Sequence, residues 1–391
     1  MSLIASLDRA ALKSTLEEMG ADAWLLFDFH GLNPVAARML SLGGMGTRRV
    51  FVLLPRSGEL VAVGHKIELQ PLEDFPGRVI PYARWEELHA ALGPLVKGKT
   101  LAMETSPEDA VPYLDRVPHG VVQLLTRLGA TVVPSAPLVS RFAAGWSAQE
   151  LADHLFAAEV LARVAKDALQ RAVRLGGTGL RESALQAEVI AAMKQGGLVL
   201  SSPPIVGFGP NAANPHYEPH PGSDAELRNG DVVLLDLWGG RSLKTVFADQ
   251  TWMGFAGERV PEEVDRVWRT VRDARDAAVT ALRQAESRHQ PVAGFELDQA
   301  ARGVIAGAGF GDYFVHRTGH SIDTDLHGSG PHLDDYETHD DRRLVAGVGF
   351  SVEPGIYLTG RFGVRSEINV HMGSGGARVT PDQPQVDLIT A

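Results

Sequence analysis

Apolar and polar positions alternate in two different ways along this chain. Ala10 to Met19 carries a helical spacing, and Ala23 to Phe29 reads as an apolar strand. Val50 to Leu54 and Leu60 to Val63 flank Pro55-Arg56-Ser57-Gly58, which predicts a hairpin. Trp85 to Leu92, Thr100 to Glu104, Gly120 to Leu128 and Thr131 to Val133 continue the alternation. The pattern predicts an α/β domain over residues 1–143 without a catalytic constellation. The string Gly43-Gly44-Met45-Gly46 lacks the spacing of a dinucleotide fingerprint and reads as a loop turn.

A boundary falls between Arg141 and Gly145, and the pattern then changes. Ser147-Ala148-Gln149-Glu150 is a capping box opening a long helix to about Arg174. Further helices are expected at Arg181 to Gln195, Pro261 to Arg283 and Phe295 to Ala308. Strands are expected at Val232 to Trp238, Thr245 to Met253, Phe350 to Glu353 and Gly363 to His371. Residues 144–391 therefore read as an α+β domain, with helices packed on a strand platform.

Composition narrows the function. At 391 residues, two domains can each hold a core. The formal charge of −11 argues against a broad nucleic-acid surface, since phosphate binding needs clustered Lys and Arg. No apolar run approaches the roughly 18 residues of a membrane span. Met1 to Gly20 lacks the apolar centre of a signal peptide. The chain has no cysteine, which excludes disulfides and thiolate ligands and fits a cytoplasmic protein.

The chemistry concentrates in Asp236, Asp249, His320, Glu353 and Glu367. Asp236 interrupts the apolar run that begins at Val232, and Asp249 sits in a second apolar strand with Thr251 two residues on. If the two strands pair as a hairpin, these three side chains share a face. Glu353 ends a strand before Pro354-Gly355, and Arg365, Glu367 and Asn369 alternate on one strand face. Four converging carboxylates resist joint ionisation, and two divalent cations would resolve the conflict. Oxygen donors with one imidazole suit Mn²⁺, Co²⁺ or Zn²⁺, and such a pair serves hydrolysis. Taken singly, each residue also has a bland reading: a strand-end Asp on backbone amides, or a surface ion pair.

Five of the fourteen histidines, His316, His320, His327, His332 and His339, fall within one stretch. Each alone reads as a surface or hydrogen-bonded residue at least as readily as a ligand. The loop Gly207 to Asn211 is a poor phosphate cradle because Pro210 has no amide donor, and it leads to His216.

Together these motifs resemble the prolidase and aminopeptidase P family, metallopeptidases of the pita-bread fold with a creatinase-type N-terminal domain. Gly209-Pro210-Asn211 through His216 is similar to its substrate-histidine loop, and His316-Arg317-Thr318-Gly319-His320 matches His-x-x-Gly-His. Val352 to Tyr357 and Gly363 to Glu367 match the segments carrying its last two carboxylates. The chain departs from the family pattern at Ala248, Trp252, Met253, Gly328 and Ile368, and its gap between the two aspartates is about two residues longer than the common form. The resemblance implies hydrolysis of Xaa-Pro bonds, dipeptides preferred, with two metal ions, Mn²⁺ foremost, on Asp236, Asp249, His320, Glu353 and Glu367. Glu353 is then also the proton acceptor, and His216 and His327 bind substrate and its oxyanion. His316 and Arg365 are substrate contacts, and Arg48 is the candidate reader of a dipeptide's carboxylate. A homodimer is implied by the family. Two alternatives stay open: aminopeptidase P action on longer peptides, and a non-catalytic pita-bread module that binds peptides.

Overall fold

All six residues of strand β1 (Ala23–Asp28) are buried, and their period of two sorts them onto opposite faces. Trp24 and Leu26 share a core with Leu12 and Leu16 of helix α1 (Arg9–Glu18) and Met39 of α2 (Pro34–Leu40). Leu25 and Phe27 face the other way, into a core with Leu88 and Leu92 of α3 (Trp85–Val96) and Leu125 of α4 (His119–Arg127). Helices on both faces of a sheet demand such a strand. With β2 (Val50–Pro55), β3 (Val61–His65), β4 (Arg78–Tyr82), β5 (Thr100–Met103) and β6 (Thr131–Pro134), the sheet order is β4-β3-β2-β1-β5-β6. Only β2 runs antiparallel to its neighbours. This is the expected α/β arrangement. A single turn, α5 (Ala136–Leu138), follows the last strand.

The computed structural model describes residues 2–42 and 46–391, so Gly43, Gly44 and Met45 of the glycine-rich string lie outside the described residues. The chain divides into two units, Met1–Ala144 and Gly145–Ala391.

In the second unit, the Ser147 hydroxyl accepts from the Glu150 amide while the Glu150 carboxylate accepts from the Ser147 amide. That reciprocal cap starts α6 (Ala148–Ala172). Leu161, Ala165 and Leu169 of α6 and Val189 of α7 (Glu182–Gln195) share one core with Val233, Leu235 and Trp252. Those last three belong to a sheet that includes β7 (Ile205–Phe208), β8 (Val232–Gly239) and β9 (Ala248–Phe255). Two more helices follow, α8 (Glu262–Ser287) and α9 (Gly294–Gly307). A second sheet is built from β10 (Ser321–Ile322), β11 (Gly349–Val352), β14 (Ile368–Gly373) and β15 (Gly376–Thr380). Between β11 and β14 the chain forms a separate hairpin, β12 (Gly355–Leu358) with β13 (Phe362–Arg365). Strand β16 (Ile389–Thr390) closes the first sheet beside β9. Among the described residues, no helix is long and apolar enough to cross a membrane.

One expected strand is broken. Gly363 to His371 reads as a single strand, but the chain leaves the ladder at Ser366 and Glu367. The Ser366 amide donates to Pro354 O, and the Glu367 amide donates to Thr251 O, each at 3.3 Å. Alternation of side chains is blind to this change of partner. The register pairs Gly355 with Arg365 in the hairpin and Val352 with Ile368 in the sheet. Glu353 and Glu367 therefore both stand at the crossing from hairpin to sheet.

Candidate active site

Strands β8 and β9 pair antiparallel, with Asp236 opposite Thr251 and Trp238 opposite Asp249. Directly paired residues share a face, so Asp236, Asp249 and Thr251 point the same way. The crossing delivers Glu353 and Glu367 from the other sheet, and the Asp249 amide donates to Asn369 Oδ1 at 2.9 Å. His320 enters just ahead of β10. A Cβ at Gly319 would collide with the Ser351 carbonyl, so only glycine lets this segment lie so close to β11. The His320 amide donates to Ser351 Oγ (2.9 Å), and its Nδ1–H donates to Ser321 O (3.1 Å). Nε2 is left facing Asp249 Oδ2 at 3.4 Å and Glu353 Oε1 at 3.3 Å.

Ligand atoms of Asp249, His320 and Glu367 lie within 4.8 Å of one another, and all three residues are buried. Asp249 Oδ1 and Glu367 Oε1 find no hydrogen-bond partner among the described residues. Buried carboxylate oxygens without donors are costly unless a cation satisfies them. Hard oxygen donors beside one imidazole nitrogen suit a divalent ion. The residues fit a metal.

Asp236 is held differently. Its Oδ2 pairs with the Arg365 guanidinium, and its Oδ1 accepts from Thr251 Oγ1 at 3.1 Å. Glu367 Oε2 takes 2.9 Å from the same hydroxyl, and Arg365 Nε lies 2.9 Å from that oxygen. Arg365 also reaches Pro215 O (3.3 Å) and the Tyr357 hydroxyl (3.4 Å). The ion pair with Asp236 fixes the direction in which that carboxylate points. His316 donates from Nδ1 to Arg317 O and sits 2.7 Å from the Tyr357 hydroxyl through Nε2. His327 is exposed, its ring edge-on to His320 with centroids 4.2 Å apart. His216 is exposed on the loop after β7. Arg48 belongs to the other unit. It is exposed there, its guanidinium 2.8 Å from Thr47 Oγ1, and it lines a cavity with Asp28, His30 and Glu68.

Several supports escape sequence reasoning. Asp298 of α9 accepts from the Thr318 amide (2.8 Å) and from Arg302, which donates to the carbonyls of Phe314 and His316. Trp146 donates to Ile322 O at 2.6 Å from between the rings of His154 and His371. Tyr357 stands inside a motif already quoted, but its hydroxyl contacts come from the fold. Gly328 departs from the family pattern for a visible reason: a Cβ there would meet Asp323 Oδ2 at 2.7 Å. Asp323 closes the His327 loop by accepting from the amides of Asp325 and Ser329.

Burial pushes the carboxyl groups of Asp236, Asp249 and Glu367 up, Asp236 to about 7 and Glu367 well above its ordinary value, with neighbouring carboxylates adding repulsion. Burial also raises Glu353, but His320, Arg365, His316 and His327 outweigh it and hold that group low. Burial lowers His320, yet Asp249 and Glu353 carry it above its usual value. His327 falls to about 3 because His320 is charged beside it and because it is desolvated.

A stability test follows for metal-free protein. A carboxyl whose folded pKa is raised stabilises the fold below its unfolded pKa, about 4. That contribution disappears as pH climbs through the folded value. Buried neutral histidines such as His154 and His316 act at acid pH instead, and they cancel when two variants are compared. Stripped Glu367→Gln is expected to melt at least about 5 °C above stripped wild type at pH 9. The gap should shrink towards zero at pH 5. A gap independent of pH would contradict the raised carboxyl.

The model of metallopeptidase family M24 matches residues 157–374. Probable dipeptidase PepE of Mycobacterium tuberculosis is 30% identical over 335 residues, covering 84% of this chain and 82% of that protein. The Xaa-Pro dipeptidase of Lactobacillus delbrueckii subsp. lactis is 29% identical over 253 residues, covering 61% and 64%. Among solved structures, dipeptidase PepE from Mycobacterium ulcerans aligns with a TM-score of 0.74 at 25% identity, over 98% of this chain and 96% of that one. The arrangement of helices around these sheets is thus the pita-bread fold. The family match begins within α6 and runs through β14, taking in all five candidate ligands, and the chain belongs to metallopeptidase family M24.

Proposed function

We propose that this metallopeptidase hydrolyses Xaa-Pro bonds and prefers dipeptides. The observation that carries the metal centre is the pair of orphaned oxygens, Asp249 Oδ1 and Glu367 Oε1, buried beside His320. Asp236, Asp249, His320, Glu353 and Glu367 would hold two divalent ions, Mn²⁺ foremost. Bound ions supply Lewis acidity and acidify water, which peptide hydrolysis at neutral pH otherwise lacks. Glu353, the carboxylate held lowest, takes a proton and returns it to the proline nitrogen. His327 and His216 donate to the carbonyl oxygen as negative charge develops there. Arg365 favours the ionised form of Asp236 against burial and aims it, and His316 faces substrate beside Tyr357.

The names of the relatives support dipeptides as substrates. A dipeptide presents a free carboxylate beside the proline ring, which calls for a cation at that distance. Arg365 is paired with Asp236, and Arg48 is the candidate to be tested for that task. A charge-assisted bond is worth about 1.5–3 kcal/mol, so Arg48→Ala should lower kcat/KM on Xaa-Pro dipeptides at least about tenfold. Xaa-Pro-Yaa tripeptides should be slower substrates for the wild type and lose less in the variant. Equal losses on both, or none, would reject Arg48 as the reader. Faster cleavage of tripeptides would favour aminopeptidase P action.

A further inference from the structure

Glu182 is fully buried on the first turn of α7, well separated in sequence from the candidate ligands, and five hydrogen bonds converge on it. Its Oε1 accepts from the Phe208 amide at 2.6 Å and from Asn211 Nδ2 at 3.1 Å. Its Oε2 accepts from Asn211 Nδ2 (3.1 Å), the Tyr217 hydroxyl (2.7 Å) and the Ala225 amide (2.8 Å). Every one of these donors is neutral, and all lie between residues 208 and 225. A carboxylate at a helix N-terminus is favoured by the helix dipole, and hydrogen bonds to a charged acceptor are the stronger kind.

The segment from Phe208 to Val232 links β7 to β8 without a strand of its own, and long irregular connections order only when something ties them down. Glu182 ties this one at its entry, at its first turn, next to His216 and near its exit. Asp224 adds a second clasp, accepting from the Ser183 amide and Arg181 Nε of the same helix start. The His216 amide has only a 3.2 Å contact to Asn214 Oδ1, inside the loop itself. His216 is flanked by two anchors, the Pro215 carbonyl on Arg365 (3.3 Å) and the Tyr217 hydroxyl on Glu182 (2.7 Å), and of these only the second belongs to the clasp at the start of α7.

We propose that Glu182 is the positioning residue of the His216 loop, acting through the Tyr217 hydroxyl. The inference rests on the reading that His216 engages the substrate. Tyr217→Phe removes one bond and keeps the ring, whereas Glu182→Gln places an amide donor among donors and tests the whole clasp. Tyr217→Phe is expected to lower kcat/KM on a Xaa-Pro dipeptide about tenfold, with Mn²⁺ content unchanged. In a His216→Ala background the same change should cost almost nothing, because a misplaced histidine cannot be lost twice. Amide exchange over residues 212–219 should speed up in both anchor variants while α6 and β8 stay protected. Multiplying losses, or unchanged kinetics in an active enzyme, would overturn the proposal. If the wild type fails to cleave Xaa-Pro dipeptides, the functional reading falls alone. Exchange then decides the anchor: faster loop exchange supports it, and unchanged exchange overturns it.

Discussion

Alanine at Asp249 or Glu367 is expected to lower Xaa-Pro dipeptide hydrolysis by more than about 10³-fold, beyond the usual cost of one oxyanion donor. Among the described residues, each carboxylate keeps an oxygen without a donor, which leaves that oxygen for a cation. Their loss should also show in bound metal, with stoichiometry falling below two Mn²⁺ per chain in either variant. Glu367→Gln should behave likewise in activity while stabilising the stripped fold at high pH. Few substitutions trade function for stability so directly, and the trade arises because three raised carboxyls share one buried volume. Full activity in either alanine variant, or in protein stripped with chelator, would defeat the dinuclear reading.

Why some of this was readable in the sequence and some was not follows from the range of the interactions. Asp236 and Asp249 interrupt apolar strands, and period-two arithmetic puts Thr251 beside them, so a local pattern identified three neighbours. The two-faced burial of β1 was likewise written in its apolar residues from Ala23 to Phe27. Glu367 was legible as a polar residue among apolar ones, but the broken strand around it was not. Its amide bonds to Thr251, 116 residues away, and no local alternation encodes that distance. Glu182 looked like an ordinary acidic residue in a first helical turn. Its donors lie 26 to 43 residues downstream and include two backbone amides, which carry no side-chain signature. Arg365 was legible as a cation on the face of the carboxylates, but its partner Asp236, 129 residues away, was not, because residue type gives charge but not partner.

Alanine at His327 or at His216 should separate catalysis from metal binding. His327 stands 4.2 Å from His320, on a loop that Asp323 closes through two amides, so its ring has a fixed approach to the ligand set. A neutral imidazole there can donate one hydrogen bond to the developing charge. Neither histidine belongs to the group of Asp249, His320 and Glu367. Each variant is therefore expected to retain its full complement of Mn²⁺ and to lose about 10²-fold or more in kcat, the usual cost of removing an oxyanion donor or proton-transfer group. KM should move less than kcat, since a bond that strengthens only as charge develops contributes little to ground-state binding. Loss of metal in either variant would recast that histidine as a ligand. Unchanged turnover in both would return the pair to ordinary surface residues and leave the developing oxyanion to the ions alone.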